Sequence, residues 1–410
     1  MISRFNSLPR NFKLFLVGHG IHVFGNSVHA LLFNLFLREA GLKEGAMGAL
    51  AATTSMGIAL MAFPAAFFLE RFAVKPLLLT GVLLSAVFYS MQIQAASFEM
   101  YTSLGLLGAM GLAVFNISVA PFVFRHTPPE MRVRAFTLNS ATAMAAQLLG
   151  YTFGGKLPEL FLSQGWAMGE LEAYRYAMAV ALGCNLFALL PLLGILRAPV
   201  PTTRRPFLGE LREKDWRTLG KLLAPKALIA LGAGMIIPFM NIYLSQRFKL
   251  GSAAVGACFG VMQLFTFAGV IAGPYLVRRM DRLRFILTTA LLSVPFMLAM
   301  ALSSSVVVVI GSFFMRNALM NMSAPVTSLF EMERVREQEC LFASAMLIFC
   351  YNTAWTFSTQ VGGWVIEHHG FRASFLVAAC FYVAAVGCYW RFFRGTGMRD
   401  ANIREVPRVA

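Results

Sequence analysis

The stretch Asn116–Pro121, NISVAP, returns near the other end of the chain as Asn321–Pro325, NMSAP, with the two prolines 204 residues apart. Two further pairs of positions share a spacing of 208 residues: Arg71 with Arg279, and Gly154-Gly155 with Gly362-Gly363. Because three separate matches keep nearly the same offset, they predict that one half of the chain repeats the other with small insertions.

The composition indicates which solvent surrounds the folded chain. Of the 410 residues, 58% are hydrophobic and only 13% are charged. A chain of this kind exposes most of its surface to lipid. Parallel repeats in a very apolar chain are typical of secondary transporters, which bind their solute between the two halves.

The charged residues divide the sequence into runs close to the length of a membrane-crossing helix, about 20 residues. Ten uncharged runs qualify: 14–37, 45–69, 76–98, 100–124, 135–155, 176–196, 227–246, 250–277, 340–366 and 373–390. The remaining run, 285–330, is too long for one crossing and is predicted to turn near 303–305 and supply two. The sequence thus predicts an all-α integral membrane protein with twelve transmembrane helices.

These helices predict the domain organisation. Residues 1–197 are expected to form an N-terminal six-helix bundle and 227–394 a C-terminal one, related by a pseudo-twofold axis along the membrane normal. A cytoplasmic linker, 198–226, joins them, and 395–410 form a cytoplasmic tail.

The distribution of Lys and Arg predicts the orientation, because these residues are retained on the cytoplasmic side. With the amino terminus inside, the cytoplasmic segments carry 27 of the 35 Lys and Arg, and the outer loops carry seven. Both termini are therefore predicted to be cytoplasmic, and we expect a monomer in the cytoplasmic membrane of a prokaryote. The excess of basic residues in the cytoplasmic segments, which face anionic lipid headgroups, accounts for the net charge of +16. No nucleic-acid partner is therefore expected.

The segment between predicted helices 2 and 3 reads AFFLERFAVK, residues 66–75. It resembles the pattern G-x-x-x-D-R-x-G-R-K of the major facilitator superfamily, with Glu70 and Arg71 in the acid and base positions. Alanines, Ala66 and Ala73, replace the glycines. The resemblance implies two pseudo-twofold-related six-helix bundles and gating by Glu70, Arg71 and Arg279. A carboxylate there can hold the cytoplasmic side shut from the amino end of a helix in the other half.

Two other stretches resemble the same family. Gly150–Gly155, GYTFGG, is similar to its antiporter pattern G-P-x-x-G-G, with Tyr151 where the family has proline. Small residues at this spacing also allow close helix packing, so both interpretations stay open. The stretch Gly370–Phe375 is similar to the start of the family's last helix.

Predicted helix 1 carries a polar stripe of His19, His22, Asn26 and His29 within an arc of about 80°. No Asp or Glu lies in the middle of any predicted span, and imidazole titrates near physiological pH. We therefore predict proton coupling through His19, His22 and His29. Metal binding by the same stripe is the alternative.

Arg316 is the one charge within a predicted span. A guanidinium without a carboxylate at the same depth is suited to an anionic group of a substrate. The alternative is a structural role in which carbonyls and asparagines satisfy it. The other predicted substrate-binding residues are polar or aromatic side chains within the spans: Asn26, His29, Asn139, Gln147, Asn241, Gln263, Asn317, Asn321, Asn352 and Trp355.

Together these features predict a secondary active transporter of a small amphipathic organic solute, anionic in character, working by alternating access. Its predicted partners are that solute, protons and the lipid bilayer. A multidrug or metabolite efflux antiporter is the main alternative, followed by a metal or metal-chelate transporter and by a non-transporting sensor or lipid flippase. The sequence contains no nucleophile–base pair and no nucleotide-binding glycine loop, so neither an enzyme nor a cofactor is expected.

Overall fold

The computed structural model describes residues 8–196, 215–277, 279–336 and 340–395. The first half of the chain forms six long helices: α1 Arg10–Glu39, α2 Glu44–Arg71, α3 Val74–Gln92, α4 Phe98–Arg125, α5 Arg132–Ser163 and α6 Glu170–Phe187. A short helix, Leu189–Leu193, continues α6.

The second half follows the same order. Its helices are α7 Trp216–Ile236, continued through a 3₁₀ turn by Met240–Phe248, then α8 Ser252–Val277, α9 Arg282–Leu302 and α10 Val306–Met332. The last helical run, Cys340–Phe393, is divided at Gly370, where φ is 76°. We call the two parts α11 and α12. The left-handed backbone at Gly370 is accessible to glycine without steric cost, which explains a glycine at this break.

Ten helical runs of the described residues are long and apolar enough to cross a membrane. The last of these runs contains both α11 and α12, and α5 is not among the ten. The count is consistent with the twelve predicted helices, and the all-α membrane fold is confirmed. The predicted turn near 303–305 separates α9 from α10.

The observed start of α7 lies inside the range 198–226 that was predicted as a linker. Asp215 caps the helix, since its carboxylate accepts hydrogen bonds from the Thr218 hydroxyl at 2.7 Å and from the Thr218 N–H at 3.0 Å. These hydrogen bonds hold the pKa of Asp215 below its usual range. Residues 197–214 and the tail beyond residue 395 lie outside the described residues.

The two halves meet through contacts that repeat with the predicted offset. The Asn34 side-chain amide donates to the carbonyl oxygen of Pro238 at 2.6 Å, and that of Asn241 donates to the carbonyl oxygen of Leu31 at 2.8 Å. Both the donors and the acceptors are 207 residues apart, so the two hydrogen bonds are pseudo-twofold images of each other.

Near this contact the helices of opposite halves cross with their backbones touching. A Cβ added at Gly155 in α5 would lie 2.9 Å from the Cα of Gly256 in α8, and one added at Gly363 in α11 would lie 2.9 Å from the Cα of Gly48 in α2. No side chain larger than hydrogen fits between such backbones. The paired glycines thus close the bundle at this end, where α1 leads into α2 and α7 into α8, and we call it the closed end.

Candidate functional site

Two cavities meet in the centre of the molecule. The larger, with a volume of about 520 Å³, lies in the second half among α7, α9, α10, α11 and α12. The smaller, about 290 Å³, lies between the halves, with α5 on one side and α7, α8 and α10 on the other. Ile237, Asn317 and Asn321 line both cavities, which we therefore treat as one central cavity.

Arg316 lies in the wall of this cavity with only 3% of its surface exposed. Its guanidinium donates a hydrogen bond to the Tyr382 hydroxyl, and its Cζ lies 5.3 Å from the centre of the Tyr382 ring. The buried Nε has no hydrogen-bond partner. None of the ion pairs found among the described residues includes Arg316. The site thus offers a fixed positive charge with an unused donor, which is the chemistry that binds a carboxylate or phosphate.

Hydrogen bonds within α10 and to α8 hold the polar side chains near Arg316. The Asn317 amide donates to the Thr266 hydroxyl of α8 at 2.5 Å, and the Asn321 amide donates to the Asn317 carbonyl at 2.9 Å. Six predicted substrate-binding residues line the central cavity: Gln147, Gln263, Arg316, Asn317, Asn321 and Asn352.

The central cavity also contains an acidic residue that the sequence pattern did not predict there. The Glu331 side chain, 3% exposed, lines the larger cavity and pairs with Lys226 of α7 at 3.0 Å. The sequence placed Glu331 among the cytoplasmic charges because it follows the apolar run 285–330. It lies fifteen residues after Arg316, which is about 60° around the helix, so the helical periodicity of α10 could have identified it.

The histidines of α1 lie inside the first half instead of lining the central cavity described above. His19 contacts the Asn139 side-chain oxygen at 2.7 Å, and His22 contacts the Asn26 amide at 2.9 Å. Asn185 of α6 donates to the Asn26 oxygen at 3.5 Å. We call these five residues the α1 polar cluster. Buried atoms without a hydrogen-bond partner remain in it, namely His22 Nδ1 and Asn185 Oδ1.

His29 is separate from this cluster. Its ring stacks between Phe33 and Tyr89, at centroid distances of 5.0 and 4.7 Å, and its Nε2 is buried without a partner. Among the described residues, no group of three or more His, Cys, Asp or Glu is placed to hold a metal ion.

The remaining predicted residues lie elsewhere. Asn241 belongs to the contact at the closed end, and Trp355 packs beside Tyr351 at 5.7 Å between ring centres. The Arg71 guanidinium lies over the Phe67 ring at 4.1 Å, and Arg279 is exposed in the turn after α8. The Glu70 side chain lies outside the described part of the chain, so the gating role of this segment stays a prediction.

Comparison with known families adds an independent observation. The sequence matches the profile of the Major Facilitator Superfamily over residues 15–339 and, in a second match, over residues 226–408. The chain belongs to the Major Facilitator Superfamily. It is therefore a multi-pass membrane transporter and not an enzyme, and the resemblance seen in the sequence is confirmed.

Solved structures of transporters share the fold. An inward-facing, unoccupied bacterial homologue of the human lysosomal transporter Spinster has a TM-score of 0.76 and 15% identity, covering 94% of this chain and 96% of that one. A mutant form of the nucleoside transporter NupG has a TM-score of 0.78 and 11% identity, with coverages of 93% and 100%. A D-xylose-proton symporter has a TM-score of 0.71 and 15% identity, with coverages of 93% and 96%. None of the curated protein sequences matches the chain.

Proposed function

We propose that this transporter moves a small amphipathic organic anion across the membrane by alternating access, and that Arg316 binds the acidic group of that substrate. The observation that carries the proposal is the buried Arg316 guanidinium in the wall of the central cavity, with its Nε unpartnered. A charge inside a membrane protein costs about 2.5–3.5 kcal/mol on insertion scales and is rarely left without a partner. A bound anion offsets part of this cost, whereas a cation is repelled.

The rest of the cavity fits an amphipathic solute. Beside Arg316, the side chains of Asn317, Asn321 and Asn352 offer hydrogen-bonding groups, while Ile229 and Leu347 provide apolar wall. A few polar groups in a mainly apolar cavity are the usual composition of small-molecule sites. The polar groups would orient the acidic end, and the apolar wall would take the organic body.

The orientation predicted from Lys and Arg places the closed end outside. With the closed end outside, we infer that the central cavity opens towards the cytoplasm, which corresponds to an inward-facing state. The similarity to the inward-facing Spinster homologue supports this assignment. Alternating access requires a second state in which the closed end separates.

Proton coupling through His19, His22 and His29 is the second part of the proposal. Its support is that His22 and His29 each keep a buried ring nitrogen without a partner, where a proton or a water molecule could be held. Glu331 is the competing carrier, because it is a buried carboxylate in the cavity wall.

The anion assignment is tested by binding and uptake with purified protein in vesicles. Thermal-shift screening of aryl and alkyl carboxylates against ammonium compounds of the same size should identify anions as stabilising ligands. For the best anion, Arg316→Gln should weaken binding about tenfold to a hundredfold, since hydrogen bonds to charged groups contribute about 1.5–3 kcal/mol. Arg316→Lys should weaken it less, because the charge remains and only the forked geometry is lost.

The exposed Arg372 on α12 provides the matched control, and Arg372→Gln should bind the anion like the unmodified protein. The folded yield of the Arg316 variants should stay near that of the unmodified protein. If Arg316→Gln binds and transports the same anion with unaltered affinity, or if the best substrate is a cation, Arg316 is structural and the assignment is wrong.

A further inference from the structure

Two carboxylates at the closed end bind backbone N–H groups of the opposite half. The Glu159 side chain, in the last part of α5, accepts a hydrogen bond from the N–H of Ala253 at 3.1 Å. The Glu367 side chain, at the end of α11, accepts one from the N–H of Gly45 at 3.0 Å. Ala253 and Gly45 lie in the first turns of α8 and α2.

The two contacts are images of each other in the internal repeat. Glu367 follows Glu159 by 208 residues, and Ala253 follows Gly45 by 208 residues. The same offset relates the glycine pairs Gly154-Gly155 and Gly362-Gly363. Each half of the molecule thus contributes one carboxylate that binds the amino end of a helix in the other half.

The amino end of a helix is a suitable partner for a carboxylate. Its first N–H groups have no partner within the helix, and the helix dipole places partial positive charge there. The residue that precedes α2, Lys43, makes no side-chain capping hydrogen bond. The first turn of α2 contains Glu44, whose carboxylate accepts a hydrogen bond from the Gln246 side chain of the other half, and the first turn of α8 contains no acidic residue. In both helices, a carboxylate from the opposite half therefore accepts one of the N–H groups that have no partner within the helix.

Each carboxylate is placed one turn beyond a glycine contact. Glu159 follows Gly155 by four residues, and Glu367 follows Gly363 by four, so each pair lies on one face of its helix. The glycine brings the two backbones together, and the carboxylate then reaches the neighbouring helix end. On the Glu367 side, the Lys43 ammonium adds a weaker ionic contact at 3.8 Å.

We propose that Glu159 and Glu367 form a paired lock that holds the closed end shut, and that both carboxylates must leave their helix ends before the transporter opens on that side. Because the lock joins the two halves, it stabilises only the state in which the closed end is shut. Its hydrogen bonds are lost when α5 separates from α8 and α11 separates from α2. It is distinct from the gating segment at Glu70, which lies at the other end of α2.

The lock is tested by measuring how far apart the halves lie at this end. Spin labels at Met168→Cys and Ser304→Cys, two exposed loop positions in opposite halves, report the separation by pulsed electron resonance. The measurement uses the full chain in lipid nanodiscs with its six native cysteines replaced. Glu159→Gln and Glu367→Gln each remove the charge and nearly preserve the side-chain shape. Each should raise the ratio of separated to closed molecules about two- to fivefold, and the double variant about three- to thirtyfold.

Glu172 provides the matched control. Its carboxylate also accepts a backbone N–H at the closed end, from Met168 at 2.9 Å, but both residues belong to the first half. For this control the labels are placed at Gln164→Cys and Ser304→Cys, because Met168 contacts Glu172, and the lock variants are measured with the same pair. Glu172→Gln should leave the distance distribution unchanged. The proposal is overturned if the double variant keeps the distribution of the unmodified protein, or if Glu172→Gln shifts it equally. Should the double variant not fold, the two single variants decide the question, because the repeat predicts similar shifts for both.

Discussion

The cavity-lining cations Arg316 and Lys226 have opposite surroundings. Lys226 is paired with Glu331 at 3.0 Å, whereas Arg316 contacts only the neutral Tyr382 hydroxyl and ring among the contacts identified for it. A buried ion pair adds little net stability compared with apolar side chains of the same size, although removing one partner alone is costly. A charge without a counter-charge inside a membrane protein is a candidate for binding a ligand. The two residues are therefore expected to respond differently to mutation.

The Lys226–Glu331 pair should behave as a coupled unit. Glu331→Leu leaves the Lys226 ammonium without its counter-charge and should lower the free energy of unfolding by about 2 kcal/mol. This is less than the roughly 3–5 kcal/mol of fully buried pairs, because the Lys226 side chain is 22% exposed. The double variant Lys226→Met with Glu331→Leu should recover most of the loss. Melting temperatures of the three purified proteins measure this, and equal melting of the single and double variants would contradict the coupling.

Variants of the α1 histidines should distinguish proton coupling from substrate binding. If His22 and His29 carry the coupling, replacing both by Gln should abolish uptake driven by a pH gradient while exchange of substrate across vesicles continues. The matched control is His368→Gln, since His368 is exposed at the end of α11. If pH-driven uptake persists in the double variant and disappears in Glu331→Gln, the carboxylate is the carrier and the histidine proposal is wrong.

At the scale of helices, the positions of charged residues predict which segments cross the membrane but not where each helix begins and ends. The uncharged run 135–155 predicts a shorter helix than α5, which continues through Lys156 and Glu159 to Ser163. Charged residues can lie on helical turns where a membrane protein meets water, so an uncharged run gives the part of a helix inside the lipid. The extra turns of α5 also carry Glu159 to the other half.

The glycine crossings predict a large difference between two similar substitutions. Gly155→Ala places a Cβ 2.5 Å from the carbonyl oxygen of Ser252 and should cost about 1–3 kcal/mol, because two backbones would have to separate. Gly183→Ala in α6 meets no atom within 4 Å and should be neutral or stabilise by about 0.5–1 kcal/mol, since alanine favours the helix. Thermal unfolding of both variants in detergent provides the comparison. A loss of similar size in the two would mean that the crossing is not tightly packed.

At the scale of the whole molecule, the pseudo-twofold arrangement explains how the closed end is built. The Asn34 and Asn241 hydrogen bonds, the glycine crossings and the two carboxylate contacts each occur twice. A duplicated contact surface of this kind closes and separates as a unit when the halves rock about the central cavity.

The orientation of the molecule gives a direct test at this scale. In intact cells carrying a cysteine-free background, Met168→Cys should react with a membrane-impermeant maleimide, because the closed end is predicted to face outward. Glu130→Cys, an exposed position in the connection between α4 and α5, should react only after the membrane is opened. If Glu130→Cys reacts in intact cells and Met168→Cys does not, the termini lie outside and the structure corresponds to an outward-facing state.

Much of the fold could be predicted from the sequence because it depends on one-dimensional properties. The length of apolar runs predicts membrane helices, and a repeat offset of 204 to 208 residues predicts two similar halves whatever their packing. Arg316 was identified in the same way, as a charge within an apolar run. These features need no knowledge of which helices are neighbours.

The composition of the site depends on the rotation and crossing of the helices, which the spacing of residues along one helix does not specify. The side chains of His19, His22 and His29 contact α3, α4 and α5 of their own half. Glu331, near the end of α10, lines the central cavity. Glu159 and Glu367 contact helix ends that are distant in sequence, and only the docking of the two halves brings these groups together. Side chains on different helices meet through packing between backbones, so their contacts become visible only in three dimensions.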